Sequence, residues 1–318
     1  MSASPIKSVI ITGGNGFVGR HLIRELQNNW VGVKIVVWDT AVSDMPAGVE
    51  GIEVDITTPD TYTASLQAVK PDWLVHLAAI ASNVTALKDP ELTKRVNVDG
   101  TRMLLESVKQ LSPDTKVFVT STSDMYGANQ AKPLSEMTLD QCKPPNPYAM
   151  SKWEMEKVIE KDFRNMVLRV RPFPHIGPGQ GKGFVTADFA SQVADIETGK
   201  QEPVMKVGNL TAQRDFTDVR DVVRAYRLLM EKGSLGEVYN IGSSRAIAVQ
   251  AILDGLLSLA TVKIAVEQDP ARVRPSDTPI LFGDTSKLQS ATGWQPEIPL
   301  DQTLREILDY WRSKSRTS

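Results

Sequence analysis

Cysteine is nearly missing from this chain. Cys142 stands alone among 318 residues, which excludes an internal disulfide and with it a stapled, secreted scaffold. Histidine is equally scarce: His21, His76 and His175 lie far apart with no metal-ligand spacing, so no metal site is expected. An excess of one charge is lacking as well. Lys and Arg number 36 against 38 Asp and Glu, a net −2, and the basic residues are scattered, so no nucleic acid is expected as a partner. No apolar run approaches the roughly 18 residues needed to cross a bilayer. The opening Met1–Lys7 lacks the apolar core and small-residue cleavage site of a signal peptide. The expectation is a protein of the cytoplasm with no membrane partner. Internal repeats and low-complexity tracts are absent too.

Short β-branched runs alternate with amphipathic stretches. Ser8–Thr12, Lys34–Trp38, Ile52–Val54, Trp73–Leu77, Lys116–Thr120 and Met166–Val170 read as strands, apolar nearly throughout, as strands buried on both faces must be. Phe17–Gln27, Thr61–Val69, Leu92–Leu111 and Tyr148–Asp162 read as helices between them. That alternation predicts an α/β fold, a Rossmann-type doubly wound parallel sheet with right-handed crossovers. Pro and Gly cluster at Lys143–Pro147 and Pro172–Gly183; the second cluster marks a crossing into a smaller C-terminal α/β substrate lobe. Helices are expected there at Phe184–Thr198, Val219–Glu231, Ala248–Leu259 and Leu300–Lys314, with few strands. The predicted division is a dinucleotide domain over 1–172, rejoined by 219–244, and a substrate lobe over 173–218 and 245–318.

The first strand runs into Thr12-Gly-Gly-Asn-Gly-Phe-Val-Gly19. A tight turn, close approach of a pyrophosphate and close helix–strand packing each favour a residue without Cβ, at Gly13, Gly16 and Gly19. The N–H groups opening the next helix, at Phe17 and Val18, can then meet phosphate oxygens. Asp39 ends the second strand about twenty residues beyond Gly19, where a carboxylate accepts hydrogen bonds from the adenosine ribose. No Lys or Arg lies between Lys34 and Lys70 to balance an added ribose phosphate. NAD(H) is therefore the expected cofactor, with NADP(H) open through Arg20 or a distant Arg. Asp55 and Ile56 would sit beside the adenine. Leu77, Ala78 and Ala79 would line the passage past the cofactor, although small residues also simply pack a strand end.

Tyr148-Ala-Met-Ser-Lys152 sets a phenol and an ammonium on one helix face. The ammonium is expected to lower the phenol's pKa and make it a usable acid and base. The fifth strand ends in Thr120-Ser-Thr-Ser-Asp124, so a hydroxyl there can meet the same substrate oxygen. Four successive hydroxyls leave the choice among them open, and a plain Ser/Thr turn reads equally well.

Together these residues resemble the extended short-chain dehydrogenases/reductases. So do Asn97-Val-Asp-Gly-Thr101, Ser121-Thr-Ser-Asp-Met-Tyr-Gly127, Arg214-Asp-Phe-Thr-Asp-Val219, Tyr239-Asn-Ile-Gly242 and Thr292-Gly-Trp-Gln-Pro296. The likeness covers essentially the whole chain. His175-Ile-Gly-Pro-Gly-Gln180, Gly183-Phe-Val-Thr186, Lys206-Val-Gly-Asn-Leu210 and Arg274-Pro-Ser-Asp277 are similar to the GDP-6-deoxy-4-keto-D-mannose reductases, which make GDP-rhamnose, and to the related GDP-mannose 4,6-dehydratases.

The resemblance implies Thr122 as the hydroxyl partner, Tyr148 as the acid, and Lys152 as the group orienting Tyr148 and the nicotinamide ribose, with Ser123 and Asp124 in the same set. It implies Asn97 and His175 on the cofactor. It implies Ser82, Phe184, Val185 and Lys206 on a GDP-sugar, Arg214 and Arg274 on its diphosphate, and Asp277 on the guanosine ribose. It also implies a homodimer through a four-helix interface built from Leu92–Leu111 and Tyr148–Asp162. Pro174 stands where relatives carry a substrate-contacting Asn, and Asp277 stands where Glu is usual. Asp124 takes the place of a dehydratase Glu, so a dehydratase or epimerase that keeps its cofactor remains an alternative. A non-catalytic NAD-binding scaffold fits poorly with an intact Thr–Tyr–Lys set.

Overall fold

The computed structural model describes residues 6–127, 132–269 and 279–317. In chain order the first half contains β1 (Ser8–Thr12), α1 (Phe17–Asn29), β2 (Lys34–Asp39), β3 (Val49–Glu53), α2 (Thr63–Val69), β4 (Trp73–His76), α3 (Asn83–Lys88), α4 (Pro90–Lys94), α5 (Thr101–Leu111), β5 (Lys116–Thr120), α6 (Pro147–Asp162) and β6 (Val167–Pro172). The second half contains β7 (His175–Ile176), α7 (Val185–Glu197), β8 (Val204–Val207), β9 (Gln213–Arg214), β10 (Thr217–Asp218), α8 (Val219–Lys232), β11 (Val238–Ile241), β12 (Ile247–Ala248), α9 (Val249–Ser258), β13 (Ala265–Gln268), β14 (Ile280–Leu281), α10 (Ser286–Thr292) and α11 (Leu300–Thr317).

The β-branched runs form one parallel sheet in the order β11-β6-β5-β4-β1-β2-β3. Its central strands carry Val and Ile on both faces, and each face is covered. Leu22, Ile23 and Leu26 of α1 pack with Val222, Tyr226 and Leu229 of α8 on one side. Leu66 of α2, Leu104 and Val108 of α5, and Met155 and Ile159 of α6 pack on the other. The strand order reverses between β1 and β4, so their carboxyl ends diverge and leave a crevice there, the place where ligands enter such sheets. A separate apolar cluster joins Phe189 and Val193 of α7, Ile252 and Leu256 of α9, and Ile307 and Leu308 of α11.

One expectation gains a detail and one needs correcting. The helix expected over Leu92–Leu111 is continuous from Pro90 but not uniform. Asp89 caps it by accepting the Leu92 N–H, and a wide π-type turn over Arg95–Gly100 links α4 to α5. Such turns mark places where a side chain is drawn out of helical register. Here Asn97 is drawn to Ile80, accepting its N–H at 2.8 Å and donating to its carbonyl at 3.1 Å. The C-terminal half also holds more strands than expected. Apart from β11 they stand outside the main sheet, in small two- and three-stranded sheets. Several span only two residues, such as β9, β12 and β14, too short for an alternating pattern to be read.

Candidate active site

The glycine loop closes on the sheet by direct contact. Gly13 sits at φ +69°, and a Cβ there would meet the Ala78 nitrogen at 2.8 Å. A Cβ on Gly19 would meet Gly14 Cα at 2.5 Å, so α1 rests on the loop backbone itself. Gly16 precedes α1 without a side-chain cap, which leaves the first N–H groups, Phe17 and Val18 among them, for a ligand. Asp39 lies half-buried at the end of β2 and accepts the Asn15 N–H at 2.9 Å. Arg20 ties the loop after β2 to the glycine turn. Its Nε donates to the Asn15 carbonyl at 3.1 Å, and its terminal nitrogens to Asn15 Oδ1 at 2.5 Å, Asp44 O at 3.2 Å and Ser43 O at 3.4 Å.

The side chain of Asp55 is exposed and accepts the Thr57 N–H at 2.8 Å, closing a turn of its own, whereas Ile56 is buried against Gly100. Leu77, Ala78 and Ala79 are half-buried; Leu77 donates its N–H to the Thr12 carbonyl and Ala78 to the Thr12 hydroxyl. His175, at the start of β7, stacks its ring on Phe17 with centroids 6.2 Å apart, and burial lowers its pKa. A dinucleotide fits these residues: the loop has no room for side chains, helix N–H groups are open, and the hydroxyl of Ser123 is buried with no hydrogen-bond partner.

β5 and α6 bring Thr122, Tyr148 and Lys152 together. Asn146 caps α6 by accepting the Ala149 N–H at 2.8 Å, which sets Tyr148 in the first turn and Lys152 one turn on. The Thr122 hydroxyl lies close enough to the Tyr148 phenol to act on its pKa, and it accepts the Asp124 N–H at 3.2 Å. Lys152 Nζ donates to the Thr120 carbonyl at 2.9 Å. The expected lowering of the tyrosine pKa is not what this arrangement produces. Burial raises the phenol, the Asp124 carboxylate raises it further, and only the nearby Thr122 hydroxyl opposes them. Lys152 does not enter that balance; burial pushes its own pKa down to about 8, against the raising effect of Glu156. The pair therefore stands at neutral pH as a protonated phenol beside a charged ammonium.

Asp124, two residues beyond Thr122, also has a raised pKa from burial. Arg214 and a hydrogen bond with Asn83 oppose that shift. Neither Asn83 nor the closeness of Arg214 to Asp124 was read from sequence; nothing in local spacing links β9 to the end of β5. Behind Lys152, Glu156 is fully buried and held by Arg171 through two bonds of 2.8 and 2.7 Å. A Glu at helical spacing from the Tyr-Lys pair was the signal that could have found it.

The substrate-side residues are more dispersed. Ser82 caps α3, accepting the Thr85 N–H at 3.3 Å. Phe184, 44% exposed, and Val185 open α7. Lys206 projects from β8 into a cleft of about 550 Å³ shared with Lys182, Asp188 and Gln192. Arg214 is half-buried in β9, close enough to Asp124 to influence its charge. Arg274 and Asp277 lie outside the described residues. Among the described residues no helix is long and apolar enough to cross a membrane.

A dinucleotide cradle beside a hydroxyl–phenol–ammonium cluster defines the chemical class, an α/β oxidoreductase that moves a proton where a hydride is exchanged. A family profile described as GDP-mannose 4,6 dehydratase matches residues 10–307. The chain is 35% identical to the GDP-6-deoxy-D-mannose reductase of Pseudomonas aeruginosa, covering 97% of this chain and 98% of that one. It is 31% identical to the GDP-6-deoxy-D-talose 4-dehydrogenase of Aggregatibacter actinomycetemcomitans, covering 90% and 91%. The structure of RMD from Pseudomonas aeruginosa complexed with NADPH superposes with a TM-score of 0.85 at 32% identity, over 97% of this chain and 99% of that one. The chain belongs to the GDP-mannose 4,6-dehydratase family of extended short-chain dehydrogenase/reductase enzymes.

Proposed function

We propose that this enzyme reduces the C4 ketone of GDP-4-keto-6-deoxy-D-mannose with NADH, giving GDP-D-rhamnose. The observation that carries the reading is the meeting of Thr122, Tyr148 and Lys152 at the carboxyl ends of the sheet. It stands in a chain that matches a GDP-6-deoxy-D-mannose reductase over nearly its full length. NADH is favoured over NADPH by Asp39, whose carboxylate suits ribose hydroxyls and repels a ribose phosphate. Arg20 supports the same choice, since its donors are already engaged by Asn15, Ser43 and Asp44.

The reduced nicotinamide supplies hydride when bound. Gly13, Gly16 and Gly19 let the backbone close on the pyrophosphate, and Asn97, Asp55, Ile56, Leu77, Ala78, Ala79 and His175 wall its course. As negative charge grows on O4, Tyr148 Oη gives up its proton to it while the Thr122 hydroxyl donates a second hydrogen bond. The raised phenol pKa keeps that proton in place until O4 demands it. Lys152, still charged below about pH 8, then stabilises the phenolate left behind and holds the nicotinamide ribose. Arg214 is assigned to the diphosphate, together with Arg274, which lies outside the described residues; a forked guanidinium matches phosphate oxygens. Lys206, Asp277, Phe184, Val185 and Ser82 serve the nucleoside and sugar. A homodimer through the helices over Leu92–Leu111 and Tyr148–Asp162 completes the reading, with Met150 of α6 39% exposed on that surface, and the cytoplasm is the proposed location.

A second reading, the 4,6-dehydratase, draws on Asp124, a buried carboxyl with a raised pKa placed to protonate a leaving hydroxyl. Loss of reduced nicotinamide absorbance with the keto-sugar, NADH and NADPH run in parallel, tests both. Stoichiometric NADH oxidation is expected. Conversion of GDP-mannose without net cofactor use would replace the reductase reading with the dehydratase one.

A further inference from the structure

His76 is a buried imidazole at the end of β4 that none of the chemistry above uses. Its two nitrogens make one bond each, and both partners are buried hydroxyls. Nδ1 lies 2.7 Å from Thr12 Oγ1, and Nε2 lies 2.9 Å from Thr101 Oγ1. The neighbours decide which nitrogen carries the proton. Thr101 donates its hydroxyl hydrogen to the Asn97 carbonyl at 2.8 Å, so it must accept from Nε2–H. Thr12 accepts the Ala78 N–H at 3.2 Å, which leaves its own hydrogen for a bare Nδ1. One neutral tautomer satisfies every group. Burial, with the Lys152 charge nearby, lowers the ring's pKa to about 3, so it stays neutral in any working buffer.

Each arm leads to a different part of the site. The Thr12 arm ends at Ala78, the residue that closes against Gly13, and at the turn entering the glycine loop. The Thr101 arm runs to Asn97, whose side-chain nitrogen donates to Ser151 Oγ at 2.9 Å. Ser151 in turn donates to the carbonyl of Tyr148 at 2.8 Å. Thr12, His76, Asn97, Thr101 and Ser151 are each no more than 2% exposed. A buried chain in which every donor has one acceptor resists displacement of any member, because each displacement strands a polar group in a low dielectric.

We propose that His76 is a positioning residue with two separable arms: through Thr12 it sets the cofactor loop, and through Thr101 and Asn97 it sets the catalytic turn of α6. The proposal rests on the reductase reading only for its turnover measurement. Asn at position 76 offers an oxygen where Nδ1 stands and keeps the Thr12 arm. Gln offers an N–H where Nε2 stands and keeps the Thr101 arm.

The test compares the full-length His76→Asn and His76→Gln proteins by NADH dissociation constant, followed by nicotinamide fluorescence, and by kcat on the keto-sugar. His76→Asn is expected to keep NADH affinity and lose kcat about tenfold, and His76→Gln to keep kcat and weaken NADH about tenfold, the scale of one buried hydrogen bond. If both variants lose only thermal stability, or lose both parameters together, the two-arm role is wrong and His76 is a packing residue. Should neither variant fold, isosteric Thr101→Val carries the test: kcat falls with NADH affinity held, and the reverse pattern overturns the proposal. A nitrogen-15 spectrum of the native imidazole must report protonated Nε2; protonated Nδ1 would also overturn it. If the wild-type enzyme does not reduce the keto-sugar, the reductase reading fails. The tautomer and the NADH affinities would still decide the role of the Thr12 arm.

Discussion

The carboxyl ends of β1, β4 and β5 and the surface around β8 and α7 handle polar groups in opposite ways. In the first region Thr12, His76, Asn97, Thr101, Ser151 and Lys152 are buried and bonded mainly to one another or to backbone. In the second, Lys206 and Lys182 are exposed around an open cleft. The first arrangement fixes atoms before any ligand arrives, as proton transfer at a defined oxygen requires. The second keeps long cationic side chains largely in solvent, with Lys182 paired to Asp195 at 3.7 Å, so settling on a ligand would cost them rotamer freedom. Substitutions should therefore be severe in the first region and graded in the second.

The largest effect is expected from Tyr148→Phe, which removes the proton donor and nothing else. Turnover should fall by roughly 10²- to 10⁴-fold with NADH affinity held, measured by steady-state rates beside fluorescence titration. Next comes Gly13→Ala. The added Cβ would crowd the Ala78 nitrogen and force a left-handed alanine, costing about 1–3 kcal/mol. Loss of NADH binding with a lowered Tm is the expected result, and an unchanged protein would break the contrast. A milder effect comes from pH. Because Lys152 loses its proton as pH rises through about 8, kcat/KM should decline over that range rather than below it. Smallest is Lys206→Ala, where an exposed charge contributes little: KM for the GDP-sugar should rise a few-fold with kcat unchanged. A drop in kcat there would mean that the lobe, too, is preorganised.

Legibility in sequence followed the same divide, with exceptions that have physical causes. The glycine loop and Tyr148–Lys152 pair could be read because their spacing is itself the chemistry: one needs backbone without Cβ, the other a shared helix face. The π-turn between α4 and α5 could not. Leu92–Leu111 reads as helical and is helical, and the widened turn within it accompanies Asn97 reaching Ile80 and Ser151, partners distant in sequence. The direction of the Tyr148 shift was misread for a related reason. Spacing reports the ammonium four residues on, but not the burial of the phenol itself or the Asp124 carboxylate across the site. His76 was visible only as an isolated histidine, and its two hydroxyl partners lie on β1 and on α5.

The account stands on hydride moving from cofactor to the sugar carbon beside Tyr148. The most direct test gives the enzyme NADH deuterated at the transferring position together with GDP-4-keto-6-deoxy-D-mannose, and reads the product by mass and NMR. One deuterium bonded to C4 of the GDP-sugar, with one NADH consumed per product, is the predicted result. Product formed from GDP-mannose without deuterium and without loss of NADH would contradict it and assign the site to a dehydratase.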